Sequence, residues 1–275
     1  MEYDPIKFRL AKLVGRSIAL RRAFHWFLDL LFLRAWYVRK ELWRIRRTVK
    51  PHPVILDAGM GFGQYSDRMS RIFEPEMLVG LEIDKKHLYG GVRYFNKVYP
   101  ATKFTLGDVQ SLPIANNSLD LILSVDVMEH IPDDEATFKE FSRILRPGGV
   151  FVMHTPRDMR EEEQDHGASE GDRWEVGEHC RDGYSDEDIT QKLSSAGLSV
   201  ERLIHDYGPF GKLAWKLLQQ YPLQMFHSFG WIVTPVMLIY LAIAIPLGVS
   251  AMMIDIVVGD HPKGGGILAV ARKPS

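Results

Sequence analysis

The sequence predicts an α/β fold built on a parallel, doubly wound sheet. Three observations carry that prediction. Short apolar runs that suit buried strands alternate with helical stretches from Val54 onward. The first of these runs ends in an acid followed by glycines at alternate positions. The chain has 275 residues, 46% of them hydrophobic and 25% charged, which suits one large domain with appendages.

The stretch "VILDAGMGFGQYSDRM" (54–69) reads as a strand, a loop and a helix that begins near Tyr65. Asp57 sits at the strand end, and Gly59, Gly61 and Gly63 follow. Alternating glycines permit positive φ and close approach to a ligand, and the loop offers N–H groups at a helix start. The spacing is G-x-G-x-G, not the dinucleotide pattern G-x-G-x-x-G. The acid two residues before the first glycine would repel a pyrophosphate and welcome an amine-bearing or cationic ligand. In "MLVGLEID" (77–84), Glu82 ends a second strand, where a carboxylate can accept both hydroxyls of a ribose. Asp108 lies just past a third strand in "FTLGDVQSLPI" (104–114). Leu121–Val125 reads as the fourth strand, 133–145 as a helix closed by Arg146-Pro147-Gly148-Gly149, and "VFVMHTP" (150–156) as the fifth strand. A helix capped by Ser185 or Asp186 runs to about Ala196, and "GLSVERLIHDYG" (197–208) supplies a sixth strand.

These landmarks, in this order, resemble the class I S-adenosylmethionine-dependent methyltransferases. The similarity is to the branch that reads D-x-G-x-G-x-G, then a strand-end acid, D-x-x-x-L-P, an E-H pair and L-[RK]-P-G-G, as in ubiquinone- and menaquinone-pathway and lipid methyltransferases. It covers residues 54–156 and fades by about 207. It implies a Rossmann-like seven-stranded sheet whose last strand inserts antiparallel, and "GGGILAVARKP" (264–274) fits that strand. It also implies S-adenosylmethionine as cofactor. Asp57, Ala58, Gly59, Gly61 and Gly63 would hold its methionine end. Glu82 would bind the ribose beside Ile83, Asp108 the adenine amino group with Val109 under the ring, and Asp126 would lie beneath the sulfonium. Asp57 as a helix cap and Asp108 as a turn residue are the competing structural readings.

A sulfonium is already activated, so the protein mainly aligns a nucleophile, and a base is needed only where the acceptor must lose a proton. In the ubiquinone-pathway relatives an acid followed by E-H lies near the acceptor and can hold a divalent metal. Asp126, Glu129 and His130 match that spacing, but the pair is common in relatives without metal, and no metal is assigned. His130 is a candidate base and Glu129 an acceptor-side residue. The long polar stretch 157–184 suits a lid. It carries His179, a second catalytic candidate, and Arg181 and Tyr184 on the acceptor side; pinning of the lid is the alternative role.

Two segments fall outside this frame. Residues 1–50 carry a formal charge of +9 and the remainder −10. From Phe24 to Ile45 apolar residues recur at helical spacing, with arginines, Trp26, Trp36 and Trp43 on other faces. Cations with indoles suit a membrane interface; a helix packed on its own domain is the competing reading. Residues 209–263 separate strands six and seven, and within them no charged residue occurs between Lys216 and Asp255. Two neighbouring strands must lie on one side of any membrane, so a lone span is excluded. Pro246-Leu247-Gly248 is expected to form the tip of a re-entrant or interfacial helical hairpin; a helical cap buried on the protein or in a dimer interface is the competing reading.

The expected organisation is a basic amphipathic segment (1–50), a methyltransferase domain (51–208 and 264–275) and an apolar helical insertion (209–263). The expected function is methyl transfer to a lipid or lipid-linked acceptor, by a peripheral or monotopic protein on the cytoplasmic side of a membrane. A soluble acceptor, or a non-catalytic cofactor-binding scaffold, is the alternative. No nucleic-acid module is recognisable. The single Cys180 excludes an intrachain disulfide.

Overall fold

The computed structural model describes residues 17–158 and 180–275, the side chains of 86–91, 93 and 231 excepted. His179, most of the expected lid and the first 16 residues of the basic segment lie outside it.

Seven strands form one sheet in the order β3-β2-β1-β4-β5-β7-β6. They are β1 (Val54–Ala58), β2 (Met77–Glu82), β3 (Thr102–Leu106), β4 (Leu119–Val125), β5 (Leu145–Pro156), β6 (Ser199–Asp206) and β7 (Gly266–Arg272). The first five pair in parallel, and β7 runs antiparallel to both β5 and β6. β1 and β4 are buried throughout, as central strands covered on both faces must be. The expected sheet is thus the observed one. The Arg146–Gly149 run, read as a helix stop, is drawn into β5, where the pairing with β4 shifts register between Leu119 and Leu121.

Flanking helices are α3 (Gln64–Phe73), α4 (Lys85–Val98), α5 (Asp134–Ile144) and α6 (Asp186–Ser195). Asp133 caps α5 by accepting from Ala136 N, and Ser185 caps α6 by accepting from Asp188 N.

The described part of the basic segment forms α1 (Ile18–Leu31) and α2 (Leu33–Ile45), separated by Phe32 in an extended conformation. Phe24, Ala35, Val38, Leu42 and Ile45 from the expected apolar face are buried. Leu33, Tyr37, Val38, Leu42 and Ile45 share one core with Ile55, Leu121 and Val150 of the sheet. Two cations also bond to the domain: the buried Arg21 donates to Phe62 O at 3.0 Å, and the exposed Arg46 to Ile72 O at 2.7 Å. Trp26, Trp43, Arg39, Lys40 and Arg44 remain exposed. The segment is therefore part of the domain, with an exposed aromatic and basic remainder.

The insertion is a helical hairpin whose turn is not at Pro246. One limb comprises α7 (Pro209–Trp215), a π turn (Lys216–Gln220) and α8 (Tyr221–Phe229). Pro222 supplies no N–H to the preceding turn, and a π turn at that point takes up the mismatch. The chain reverses at Gly230, whose φ of 58° favours glycine. The other limb is α9 (Thr234–Val258), 25 residues or about 37 Å long, with Pro246 inside it. The helix survives its proline because it is clamped on one side. Ala244, Gly248, Ala251, Met252 and Asp255 are buried as a stripe, and a side chain at Gly248 would meet Leu218 at 2.6 Å. Asp255 pins the base of the hairpin: it accepts from Tyr37 Oη at 2.9 Å and from Gly211 N at 2.7 Å, and lies 3.2 Å from His261.

Asp255→Ala strands the buried Gly211 N–H and is expected to lower unfolding stability by about 1–3 kcal/mol. Denaturant unfolding of the purified chain measures it; unchanged stability would show that the hairpin base is held by other contacts.

Candidate functional site

The C-terminal ends of the parallel strands converge on one edge, where open α/β sheets hold their ligands. β1 delivers Asp57 and the glycine loop to this edge. Gly59, Gly61 and Gly63 all have positive φ, and a side chain at Gly59 or Gly63 would strike Val127 or Phe95. At Gly61 nothing lies within 4 Å of where a Cβ would stand, so open space faces the loop. Gly61 N donates to Glu82 Oε2 at 2.8 Å, while Ile83 N and Asp84 N donate to Oε1. Three backbone donors thus fix the Glu82 carboxylate at the end of β2. α1 braces the same loop: Phe24 packs edge-on against Phe62 with ring centroids 5.5 Å apart, and His25 Nε2 lies 3.0 Å from Phe62 O.

Asp57 is buried and accepts from Ser66 Oγ at 2.5 Å. Burial raises its pKa to about 7, against the opposing Ser66 bond and with a further push from Glu82. Ile83 is exposed beside Glu82, and Val109 is buried. Asp108 is exposed, and its carboxylate accepts from Gln110 N and Nε2 at 3.0 and 3.1 Å, a local turn bond. A buried acid for an ammonium group, a held carboxylate for ribose hydroxyls and an open glycine loop fit S-adenosylmethionine.

Beyond the loop lies a charged chain that the sequence did not disclose. Asp126, at φ 52°, lies just past β4. Its Oδ2 is 2.7 Å from Arg34 Nε, and its Oδ1 is 3.0 Å from His154 Nδ1. His154 Nε2 lies 2.9 Å from Asp206 Oδ2. An imidazole between two carboxylates donates from both nitrogens only as the cation. Burial alone would lower the His154 pKa, but Asp206 and Asp126 raise it to about 10. Burial would raise Asp126, but Arg34 and then His154 overcome it and hold that carboxyl below its ordinary range. Glu129, also buried, accepts from Thr155 Oγ1 at 3.1 Å; burial, then the Asp126 charge, pushes its carboxyl well upward.

Asp126 and Glu129 thus come together at the sheet edge, joined by Arg34, His154 and Asp206. Arg181 and Tyr184 lie beside that edge, where Tyr184 N donates to Pro156 O at the end of β5. Arg181 donates to Met128 O and Pro132 O at 3.1 Å and pairs with Asp134 at 2.7 Å. Tyr184 is fully buried and donates to Asp134 at 2.7 Å. Both clamp the chain after the undescribed stretch, beside Glu129. His130 lies half-buried in a 3₁₀ turn (Met128–His130), and its carbonyl accepts from Cys180 Sγ at 3.2 Å.

Residues 56–153 match the family model described as a methyltransferase domain. Residues 56–153 therefore form a methyltransferase domain, and the seven-stranded sheet with its antiparallel β7 is the fold of the class I enzymes; the residues of the site fit S-adenosylmethionine. The chain is 30% identical over 149 residues to a malonyl-[acyl-carrier protein] O-methyltransferase of Hahella chejuensis, covering 54% of this chain and 51% of that protein. It is 30% identical over 108 residues to a sterol 24-C-methyltransferase of Gibberella zeae, covering 38% of this chain and 28% of that protein. The match thus spans about half the length, or less, of these curated relatives. A candidate sarcosine dimethylglycine methyltransferase of Galdieria sulphuraria shares the fold at a TM-score of 0.60 and 17% identity, over 87% of this chain and 86% of that one.

The ionised form of Asp57 attracts the cofactor's ammonium, so affinity rises as pH rises through about 7. Between pH 6 and pH 7.5 the ionised fraction climbs from about a tenth to about three-quarters, and the Kd for S-adenosylmethionine is expected to tighten roughly five- to ten-fold. Calorimetry measures it; a wild-type slope that persists in Asp57→Asn would assign the dependence to another group.

Proposed function

We propose that the chain transfers a methyl group from S-adenosylmethionine to a lipid or lipid-linked acceptor while attached to a membrane from one side. One observation carries this reading. The hairpin leaves β6 at Asp206 and rejoins β7 at Gly266, the sheet edge that holds Asp126 and His154, and its outer face is apolar and exposed. Ile232, Leu238, Ile239, Ile243, Leu247 and Val257 lie on that face, with Ile232 89% exposed. Water-facing apolar surface of this extent marks an interaction site.

α9 is long and apolar enough to cross a membrane by length and composition, with a mean hydropathy of 2.3 over its most apolar window. The first limb carries Lys212, Lys216, Gln219, Gln220, Gln224 and His227. That polarity favours a hairpin that enters from one side or lies in the interface over two crossings. The exposed Trp26 and Trp43, with Arg39, Lys40 and Arg44, suit the headgroup level and anionic lipid. The names of relatives that act on sterol and on an acyl carrier support a lipid-type acceptor. At the site, alignment of the nucleophile with the methyl group can contribute about 7–11 kcal/mol. Asp126 lies under the reacting centre and Glu129 on the acceptor side; His130 and His179 are the candidate bases for an acceptor that must lose a proton.

The purified chain, incubated with radiolabelled cofactor and a membrane lipid extract, is expected to place label in the organic phase. Label confined to the aqueous phase would contradict a lipid acceptor.

A further inference from the structure

We propose that Arg34, Tyr65 and Tyr207 form a seat for an oxyanion beside Asp126, and that the acceptor is a carboxylate at the end of an apolar chain. This rests on the reading of a lipid acceptor and names its reacting group.

The two phenols are the first reason. The hydroxyl of Tyr65 is buried and has no hydrogen-bond partner among the described residues, while the buried hydroxyl of Tyr207 lies against Arg34. A buried hydroxyl left unpaired costs about 1–3 kcal/mol, so Tyr65 is poised for a partner that arrives from outside, with Tyr207 held beside the guanidinium. Tyr65 is the second residue of α3, directly after the glycine loop, and Tyr207 is the first residue after β6. They meet from opposite sides of the site, each close enough to Arg34 and Asp126 to feel both charges. Tyr207 is only 7% exposed and is held at φ 54°, a left-handed conformation that a tyrosine rarely adopts. Burial raises both phenols above their ordinary range, so they remain protonated donors.

Arg34 is the second reason. Its Nε serves Asp126, and a quarter of the side chain remains exposed. A guanidinium beside two phenol hydroxyls matches the planar geometry of a carboxylate.

The charge balance is the third. Arg34 and the His154 imidazolium offset Asp126 and Asp206. Burial keeps the proton on Glu129 near neutral pH. A bound sulfonium then adds one positive charge, and one anion neutralises the site. The fourth reason is the lack of a free base in this chain of charges. Both His154 nitrogens are committed as donors, and Asp126 is held ionised by two cations. A carboxylate needs no base. Its oxygen attacks the methyl carbon, an O–C bond forms as the S–C bond breaks, and the electron pair stays on sulfur. The sulfonium becomes a neutral thioether, the product is a methyl ester, and no proton is released.

The test uses the full chain with phosphatidylcholine vesicles. The radiolabelled lipid formed from the membrane extract is treated with mild alkali, which releases methanol from a methyl ester but not from an ether, an amine or a C-methyl product. Volatile label is the expected result. Alkali-stable label would overturn the carboxylate while leaving a lipid acceptor standing; label confined to water would overturn the lipid reading and this inference with it. A second readout needs no turnover. Palmitate binding, followed by calorimetry, is expected to weaken about ten-fold in Tyr207→Phe and in Arg34→Lys, each a loss of about one charge-assisted bond. The S-adenosylmethionine Kd should stay within about two-fold, which also shows that the variants are folded. Palmitate affinity unchanged in both variants would remove the seat.

Discussion

The pairing of Asp206 with Gly266 is the constraint on which the rest of the molecule turns. These residues face each other on adjacent antiparallel strands, only about 5 Å apart across the ladder. Everything between them must depart from and return to one point of the sheet. That point is the edge where the parallel strands end and the charged site lies. A single crossing of a bilayer is incompatible with it, whatever the apolarity of α9. Gly266 also serves the site directly. A side chain there would collide with Asp206 Oδ1, so its absence lets Asp206 lie against the sheet edge and reach His154. The hairpin and the chemistry are therefore anchored by the same two residues.

α2 is the second link between them. Arg34 and Tyr37 lie one turn apart on it. Arg34 reaches Asp126 in the site, and Tyr37 reaches Asp255 at the base of the hairpin. α1 meanwhile braces the glycine loop through Phe24 and Arg21. The described part of the basic segment is thus a strut between loop, site and hairpin, and its outward indoles and cations face solvent. The +9 charge of residues 1–50 overstates what is available to meet a surface, since Arg21, Arg34 and Arg46 are spent on groups of the domain itself.

What could be read in the sequence was what is local. The glycine loop, Glu82 and the caps of α5 and α6 each act within a few residues of themselves, and the sheet follows from strands whose burial on both faces demands unbroken apolar runs. The charged chain was hidden because it is nonlocal. His154 and Asp206 are 52 residues apart, and Arg34 reads as one more cation of a basic helix. The available signal was a polar residue near the C-terminal end of each of two otherwise apolar strands, in "VFVMHTP" and "RLIHD". Pro246 misled for a different reason. A proline removes one hydrogen bond, but burial of Ala244, Gly248, Ala251 and Met252, with Gly248 against Leu218 of the other limb, outweighs that loss. The turn went to Gly230, where the backbone needs a conformation that glycine supplies cheaply.

The central claim is that the hairpin's outer face holds the site against a bilayer. Nitroxide labels placed singly at Ile239 and Ile243, in a Cys180→Ser background, test it by their exposure to relaxation agents. A label at Lys103 on β3, at the far edge of the sheet, serves as reference. On addition of anionic vesicles, both hairpin labels should gain contact with oxygen, which concentrates in the hydrocarbon phase, and lose contact with a water-soluble nickel complex, while the Lys103 label stays in water. Hairpin labels that remain as open to the nickel complex as the Lys103 label would contradict the account.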